Sequence, residues 1–549
     1  MFLLPFVSSV LTVLILYRFA GFLQLNTYLV GKCLKNYAAK EYAEYTVLTS
    51  AGLFFLAVSV YIESIAVLVG LYAVYVVFAA LFTVIRNVKL NKNAKTPLVF
   101  TNRVKRLYAA VFLCNLLLFG ALYFLCGVKY YFIIAYLIFC FYTADFALIS
   151  AFASVFERAN NRRYVKRAAA RLSGFKTLIR VGITGSYGKT SVKNIFALMA
   201  EKRYRTVATE KNFNTPLGIA KSVERLNGET EIFVAEMGAR RRGEIAELCA
   251  VVCPDYGILT GITAQHMETF KTIEAVSETK SELFYALKAG GVCVLNADDG
   301  HIRGLPFFDA PNVLRAGTAN ASEGDAKSVL RAGTAALDCY AENLIFDSEG
   351  SRFELCFGYK PKKDESVGIT RIARKKKITV ATSVVGRANV VNITVAAALA
   401  YYIGVSADKI AEAIADIVPV PHRTEIIKSG RLTVIDDTYN SNPVGACAAL
   451  ETLRLFEGRH IVVACGFAEQ GKNLESANRA FGRDIAAAAE FAVLIGTGAK
   501  FIRDGLTEHA FPSENIREYP TLAAAKREFS SLFRQGDVVL FENDMPDNL

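Results

Sequence analysis

The sequence predicts an α-helical transmembrane region followed by α/β protein, and three observations carry that prediction. The first ~150 residues are rich in Phe, Leu, Tyr and Val with few charges, whereas the remainder has the composition of an ordinary soluble protein. The positive mean hydropathy of +0.30 therefore belongs to one end. From Gly174 onward, short apolar strands alternate with amphipathic stretches, the pattern of a mainly parallel sheet covered by helices. Finally, Val181-Gly-Ile-Thr-Gly-Ser-Tyr-Gly-Lys-Thr-Ser191 reads as strand, Gly-rich turn and helix.

A chain of 549 residues has room for about three domains, expected at 1–170, 171–420 and 421–549. The net charge of +12 raises the possibility of nucleic acid, but the positive residues crowd the loops between apolar segments and the stretch just after them. Membrane topology accounts for that better, and no nucleic-acid partner is expected. Eleven cysteines are scattered singly, with Cys249 and Cys253 the nearest pair and no CxxC, which points to reduced thiols in a cytosolic compartment. The first sixteen residues lack the basic start of a secretory signal and further apolar segments follow.

Five apolar segments are drawn at 2–17, 45–61, 65–84, 107–126 and 130–150, with tyrosines marking the membrane interfaces. Lys32, Lys35 and Lys40 follow the first segment. Arg86, Lys89, Lys92, Lys95, Arg103, Lys105 and Arg106 follow the third, and Arg158, Arg162, Arg163, Lys166 and Arg167 follow the fifth. With five crossings all three clusters fall on one side. The turns at Glu63 and around Lys129 are nearly free of positive charge, so the positive-inside rule puts the large soluble part in the cytoplasm of a multi-pass membrane protein. Asp145, inside the fifth segment, reads as a snorkelling residue near the cytoplasmic end or as a functional acid.

Strands are expected at 178–183, 232–235, 257–260 and 292–295. Each is followed by polar or Gly-bearing residues, which is where ligands gather in such sheets. Thr184, Gly185, Ser186, Tyr187, Gly188, Lys189, Thr190 and Ser191 make the turn after the first strand. It aims backbone N–H groups and a helix N-terminus at an anion, and Lys189 and Thr190 add an ammonium and a Mg²⁺-binding hydroxyl, a set suited to a nucleoside triphosphate. Its glycines, Gly182, Gly185 and Gly188, depart from the general G-x-x-x-x-G-K-[ST] spacing, since Ile183 stands where the first should be. Glu236 after the second strand, His266 after the third, and Asp298 and Asp299 after the fourth bring further carboxylates and an imidazole to the same edge, an environment for Mg²⁺. Val313-Leu-Arg-Ala-Gly-Thr-Ala319 recurs as Val329-Leu-Arg-Ala-Gly-Thr-Ala335 and reads as a local duplication in a surface excursion; Arg374-Lys-Lys-Lys377 reads as a solvated strand entry. A helix begins near Val390, Val418-Pro-Val-Pro-His-Arg423 is a linker, and strands at 432–435, 461–464 and 491–495 build a Rossmann-like C-terminal domain.

These blocks, in this order, resemble the Mur ligases, most closely the branch that adds D-Ala-D-Ala to UDP-MurNAc-tripeptide. Thr184-Gly-Ser-Tyr-Gly-Lys-Thr190 is similar to the family's TGxxGKT, which accounts for the glycine spacing. Asn212-Phe-Asn-Thr-Pro-Leu-Gly218, Ala235-Glu-Met-Gly-Ala239, His266-Met-Glu268, Lys280-Ser-Glu-Leu-Phe284, Asn296-Ala-Asp-Asp299, Gly386-Arg-Ala-Asn389 with Asn392, Pro421-His-Arg423 and Asp436-Asp-Thr-Tyr-Asn440 fall where the family has its blocks. The likeness runs from about Arg171 onward.

The resemblance implies ATP and Mg²⁺. Lys189 and Thr190 would hold phosphates and metal, Glu236 and His266 metal, and Lys280 would be the lysine that the family carbamylates into an anionic ligand. Asn389 and Asn392 would face adenine, Arg423 would reach ATP from the C-terminal lobe, Asp437 would contact ribose, and Asn214 lies in a loop that meets substrate. The implied reaction is amide formation through an acyl phosphate. Its partners would be a nucleotide- or lipid-linked muramyl peptide, an amino acid or dipeptide such as D-Ala-D-Ala, and membrane lipid. The chain departs from that pattern in three places: membrane segments stand where a soluble uridine-gripping domain is usual, Ala388 replaces a histidine, and Phe541-Glu-Asn-Asp544 lacks the usual basic, serine-bearing ending. The acceptor could therefore be lipid-linked. Alternatives are another amino-acid ligase of the superfamily, of poly-γ-glutamate or precursor-tailoring type, and a membrane scaffold or transport ATPase.

Overall fold

The computed structural model describes residues 3–25, 42–92, 98–211, 213–319, 337–362, 368–439, 442–467 and 470–542. Lys32, Lys35, Lys40, Lys95, Asn212, Asn440, the second copy of the duplication at 329–335 and the 543–549 ending lie outside the described residues, as do the side chains of Lys89, Lys92, Asp145 and Arg374. The chain divides into one unit ending at Arg162 and another from Arg163 to Met545.

The first unit is helical. Its described helices are Leu4–Ile15, Tyr17–Leu25, Tyr42–Val60, Ile65–Lys92 and Asn102–Cys140, with Tyr142–Gly174 beginning in it. Two contain stretches long and apolar enough to cross a membrane, Ile65–Val88 and Asn102–Cys140, with mean hydropathies of 2.6 and 2.3. Gly127 interrupts the latter at φ +74°. Phe119 lies 5.8 Å, ring to ring, from Phe139, twenty residues away, a separation of ~30 Å along one straight helix. The chain therefore doubles back at Gly127, and Tyr131 beside Tyr123 at 5.8 Å closes the hairpin.

The expected fifth segment is thus two pieces, the return arm to Cys140 and the start of Tyr142–Gly174. Tyr72, Tyr75, Tyr131 and Tyr136 are buried within the bundle, whereas Tyr61 and Tyr130, at the ends of the drawn segments, are exposed. The Ser8 hydroxyl meets the phenols of both Tyr72 and Tyr131, which gives these polar tips a partner inside an apolar bundle.

The second unit is built on two sheets. The larger runs β2-β3-β1-β4-β5-β6-β7-β8-β9, with β1 Ile179–Thr184, β2 Thr206–Ala208, β3 Ile232–Met237, β4 Tyr256–Leu259, β5 Val292–Asn296, β6 Val313–Thr318, β7 Cys339–Asp347, β8 Gly350–Tyr359 and β9 Arg371–Thr382. Pairings from β2 to β7 are parallel, and β7 to β9 form an antiparallel meander. The four expected strands are β1, β3, β4 and β5.

The smaller sheet runs β10-β11-β15-β12-β13-β14. Its strands are β10 Glu425–Ser429, β11 Leu432–Asp437, β12 His460–Ala464, β13 Phe491–Ile495, β14 Ile516–Tyr519 and β15 Val538–Glu542. All its pairings are parallel except β10 with β11.

Two sequence readings need correcting. Val313-Leu-Arg-Ala-Gly-Thr-Ala319 is no surface excursion: it forms β6, paired to β5 and β7, with Val313, Leu314 and Ala316 fully buried. The Lys375–Lys377 run lies within β9 at the sheet's edge rather than at its entry. There Lys377 pairs with Glu342 and Lys375 reaches the Tyr340 hydroxyl at 3.0 Å, and such charges discourage pairing with another chain.

Apolar layers cover both faces of the larger sheet. On one, the helix Arg387–Tyr402 packs against the helix Lys189–Glu201 and the strands. Its alanines permit this close approach: Ala396, Ala397, Ala398 and Ala400 are fully buried, so Ala397→Leu would overpack the layer at a cost of about 1–3 kcal/mol. On the other face lie the helices Glu244–Val252 and Ile273–Tyr285. The strand ends carrying the phosphate turn, Glu236 and the 261–268 loop are thereby held on one edge of a rigid slab.

Candidate functional site

The site begins at the turn from β1 into the helix Lys189–Glu201. Gly188, at φ +75°, is the residue just before that helix, a left-handed position that glycine adopts without strain. Gly185, at φ +154°, lies so near the end of β4 that a Cβ would sit 2.1 Å from Thr260 Oγ1. These two positions account for the glycine spacing. The Lys189 ammonium folds back onto the carbonyls of Gly185 and Ser186, at 2.7 and 3.1 Å. Burial lowers its pKa to about 8, with Glu236 opposing the shift and Arg423 adding to it. A site that burdens a lysine in this way is relieved by an entering anion.

Glu236, at the end of β3, is buried. Asn214 Nδ2 donates to its Oε1 at 3.1 Å, while Oε2 accepts no hydrogen bond among the described residues and faces Lys193 Nζ at 3.3 Å. Both side chains of that ion pair are 2% exposed or less. Lys193 also donates to the Lys211 carbonyl at 2.5 Å, and Thr209 Oγ1 accepts the Glu236 N–H at 3.0 Å. A buried carboxylate oxygen with unspent acceptor capacity, at the end of the strand paired with the one that leads into the phosphate turn, fits a hard divalent cation such as Mg²⁺.

Lys280 lies mid-helix in Ile273–Tyr285 and is 3% exposed. Burial, followed by the charge of Lys189, brings its pKa down to about 7. His266 sits left-handed, at φ +54°, before the short helix Met267–Phe270, and its carbonyl accepts from Thr269 N and Oγ1.

Asp298 and Asp299 do not join the cation environment expected for them. Asp298 is spent on the Thr318 N–H at 2.8 Å and the Thr318 hydroxyl at 2.7 Å. Asp299 Oδ2 accepts from Tyr187 OH and Ile262 N, both at 2.8 Å, and its Oδ1 caps the helix Gly300–Arg303. This second carboxylate is a clamp that ties the phosphate turn to the loop after β4.

Behind the helix Lys189–Glu201 is a pocket walled by Ile195, Leu198, Val384 and Val418 and edged by Asn194, Asn389 and Arg423. Apolar walls with a few amides suit a flat heteroaromatic ring. Asn389 is at the edge of this pocket. Asn392 instead stands against the phosphate turn, its Oδ1 2.7 Å from where a Cβ on Gly188 would be.

Arg423 enters from the smaller sheet. Its Nη2 donates to Thr190 Oγ1 at 3.3 Å, and its guanidinium lies 4.5 Å from the Tyr439 ring centre. Its neighbours His422 and Thr424 are both left-handed, at φ +63° and +50°. Carboxylates pin each of them: the His422 N–H goes to Glu425 and its ring Nδ1 meets Asp436 at 2.8 Å, while the Thr424 N–H goes to Asp437 at 2.8 Å. Strain of about 1–2 kcal/mol per such residue persists only where the surroundings overdetermine it. Asp437 is thus tied to the backbone beside Arg423 and is absent from the walls of the pocket. A second bridge between the lobes runs from Gln470 Nε2 to the Ala264 carbonyl at 3.3 Å.

The structure brings Lys189, Thr190, Glu236, Arg423 and Lys280 into one electrostatic neighbourhood, with Asn214 beside Glu236. Sequence reading missed Lys193, Asn194, Thr209 and Tyr439. Lys193 left a trace there: it interrupts the apolar pattern of Val192, Ile195 and Phe196, four residues beyond Lys189 on the same helix.

Comparison with known proteins agrees with this geometry. The Mur ligase middle domain matches residues 183–400, and the Mur ligase glutamate ligase domain matches residues 422–542. The UDP-N-acetylmuramoyl-tripeptide--D-alanyl-D-alanine ligase of Mycobacterium leprae is 34% identical over 52% of this chain and 52% of its own length. That of Bacillus subtilis is 26% identical over 66% and 72%. The chain thus spans about half the length of the first of these relatives. Among solved structures, MurF from Thermotoga maritima in complex with ADP superimposes with a TM-score of 0.58 at 23% identity, covering 70% of this chain and 81% of that one. MurF from Acinetobacter baumannii gives 0.58 at 22%, covering 70% and 77%. Through these two domains, the chain belongs to the Mur ligase family.

Proposed function

We propose that this chain is an ATP-dependent, ADP-forming amide ligase of peptidoglycan precursor synthesis, held in the cytoplasmic membrane by residues 1–170. Residues 171–420 would be its ATP-binding domain and 421–549 its closing lobe. The observation that carries this reading is the convergence of Lys189, Thr190, Glu236 and the depressed Lys280 with an arginine supplied from the second lobe. A phosphate-binding turn alone has no use for a buried neutral lysine.

In the proposed reaction a substrate carboxylate attacks the γ-phosphorus of ATP, giving an acyl phosphate and ADP. The amine of a second substrate then displaces phosphate and loses a proton to leave the amide. Charge spreads over the transferred phosphoryl oxygens, so positioned cations do most of the catalytic work. Lys189 leaves the carbonyls of its own turn for those oxygens. Arg423, held by its two pinned neighbours, reaches them only with the lobes together. Asn389 and the apolar pocket orient the base.

Thr190, Glu236 and His266 would hold Mg²⁺, which would supply charge neutralisation at the phosphates. Lys280, with a pKa of about 7, offers a neutral amine to dissolved CO₂ at cellular pH, and the carbamate formed on loss of a proton would add a fourth ligand, the second anionic one beside Glu236. The named activity of the relatives supports D-Ala-D-Ala and a muramyl tripeptide as substrates.

Membrane attachment is supported by the two long apolar helices, in whose most apolar windows only 22% and 17% of residues are buried within the chain, too few for core helices of a soluble domain. Because helices occupy the place of a uridine-gripping domain, a lipid-linked acceptor is part of the proposal. Purified full chain with ATP, Mg²⁺, D-Ala-D-Ala and either UDP-MurNAc-tripeptide or its lipid-linked form should yield ADP, phosphate and a product heavier by one dipeptide in mass spectrometry. ADP release indifferent to both acceptors would favour another amino-acid ligase of the family.

A further inference from the structure

Gln470 is 4% exposed, a burial that glutamine rarely accepts, and its amide finds its partner in the other lobe: Nε2 donates to the Ala264 carbonyl at 3.3 Å. The loop that carries it is set beforehand by Asn478, fully buried in the helix Leu474–Ala486. Asn478 Oδ1 accepts from Phe467 N at 2.7 Å, and its Nδ2 donates to the Phe467 and Leu474 carbonyls at 3.2 and 2.8 Å. A donor fixed within its own lobe loses little further freedom when it meets its acceptor.

The acceptor lies in the loop after β4, whose first part is held by the larger sheet. The Gly261 carbonyl accepts from Ser186 N at 2.7 Å, Ile262 N donates to Asp299 at 2.8 Å, and the Thr263 carbonyl accepts from Ser186 Oγ at 3.2 Å. From Ala264 the second lobe meets the backbone. Gln470 holds the Ala264 carbonyl, and Gly471, at φ +57°, lies against the next turn, where a Cβ on it would stand 3.6 Å from the Met267 carbonyl and 3.7 Å from Glu268 N. His266, left-handed at φ +54°, is bracketed by these two contacts. Met267 and Phe270 sink into the apolar layer beyond it, but such packing is non-directional and leaves the aim of the intervening backbone to hydrogen bonds.

We propose that Gln470 is a positioning residue for His266: by holding the Ala264 carbonyl when the lobes meet, it sets the backbone that aims the imidazole and so raises the affinity of the site for Mg²⁺. The inference rests on the reading of His266 as a ligand of that ion. Linkage makes the effect reciprocal, so that Mg²⁺ bound with nucleotide also strengthens the contact between the lobes. Arg423 carries a charge across the same interface, whereas Gln470 carries only a fixed direction.

The test reads Mg²⁺ affinity without turnover. Full chain in detergent micelles is held with a non-hydrolysable ATP analogue while Mg²⁺ is titrated, and hydrogen exchange of peptides spanning residues 261–270 is followed by mass spectrometry. In Gln470→Ala the Mg²⁺ concentration for half-maximal protection should rise about fivefold, the scale of one neutral hydrogen bond. Gln470→Glu, equal in size but without the donor, should shift it at least as far, and analogue affinity measured without Mg²⁺ should not follow in either variant. His266→Ala should raise the midpoint by about tenfold or more. Adding Gln470→Ala to it should raise the midpoint no further, since a residue that acts through another has no effect once that other is gone. An unshifted midpoint in both Gln470 variants, an equal loss of analogue affinity without Mg²⁺, or additive shifts in the double variant would overturn the proposal. Circular dichroism melting shows which variants keep the fold; either Gln470 variant that does so decides the outcome, and loss of the fold in both makes Gln470 structural and overturns the proposal as well. If His266→Ala leaves the midpoint where it was, the ligand reading falls and the proposal with it, whereas silence of the Gln470 variants alone leaves the ligand reading standing.

Discussion

At the scale of single residues, the site is governed by lysines whose burial works against their charge. Lys193 is the least expected of them. It neutralises Glu236 from the side away from Asn214 and also holds the Lys211 carbonyl, so it orients the carboxylate and the loop that carries Asn214. Lys193→Met should leave Glu236 buried and unpaired, lowering stability by ~3–5 kcal/mol. In the surviving fold the Mg²⁺ concentration needed for half-maximal ADP release should shift about tenfold, whereas Lys193→Arg should recover part of it. An unchanged Mg²⁺ titration would mean that Lys193 is only structural.

Lys280 makes a prediction of opposite sign for stability. Its pKa is about 7 in the fold against an ordinary 10.5, so between those values the unfolded chain holds a proton that the folded chain lacks. Stability from this group rises with pH across that window and is lost as pH falls through about 7. In CO₂-free buffer, Lys280→Met should flatten this part of the pH profile of thermal melting and stabilise the fold at pH 7 by at least ~1 kcal/mol. It should also abolish product formation, with partial recovery in added short carboxylates. A variant that remains active would remove Lys280 from the chemistry.

At the scale of elements, two devices set the geometry. The Tyr187–Asp299 clamp fastens the phosphate turn to the loop after β4. Asp299→Asn keeps the shape but replaces one carboxylate oxygen by an NH₂, so either the Ile302 N–H capped by Oδ1 or the pair on Oδ2, Tyr187 OH and Ile262 N, loses its acceptor. The expected cost is ~1–3 kcal/mol, with KM for ATP raised and kcat less affected. The second device is the strained pair around Arg423. Arg423→Lys preserves charge but loses the planar face that lies on Tyr439 and the fork that reaches Thr190. Its kcat should fall by at least tenfold, with nucleotide affinity, read by fluorescent ATP-analogue titration, changed much less.

At the scale of the whole molecule, the two units differ in surface, the first exposing large apolar side chains such as Leu117, Phe124 and Leu125 and the second enclosing most of its own. A chain beginning at Arg163 should therefore appear in the soluble fraction and still melt cooperatively by circular dichroism. If the acceptor is lipid-linked, this shortened chain should lose turnover on the lipid form while retaining ATP binding; equal turnover by both chains would separate the helices from substrate capture.

Much of this arrangement is legible in the chain. The β1, β3, β4 and β5 strands, the Gly-rich turn and the position of Glu236 at a strand end follow from local patterns, because apolar period and glycine geometry are properties of neighbouring residues, whereas Lys280 and Arg423 are singled out only by the family resemblance. The misreadings share a different cause. β6 looked like a surface repeat because its burial depends on β5 and β7, which are distant in sequence. Asp298 and Asp299 looked like metal ligands because their partners Thr318, Tyr187 and Ile262 come from other elements.

By itself, then, the sequence determined the order of an apolar helical part and two α/β domains, and which residue types are suited to a triphosphate. Only the tertiary structure decided which carboxylates are already spent, that Lys193 stands behind Glu236, and that Gln470 crosses from the second lobe to the loop before His266. A side chain's free valence and the net charge it feels are set by long-range neighbours in a low-dielectric interior, and linear spacing carries no record of them.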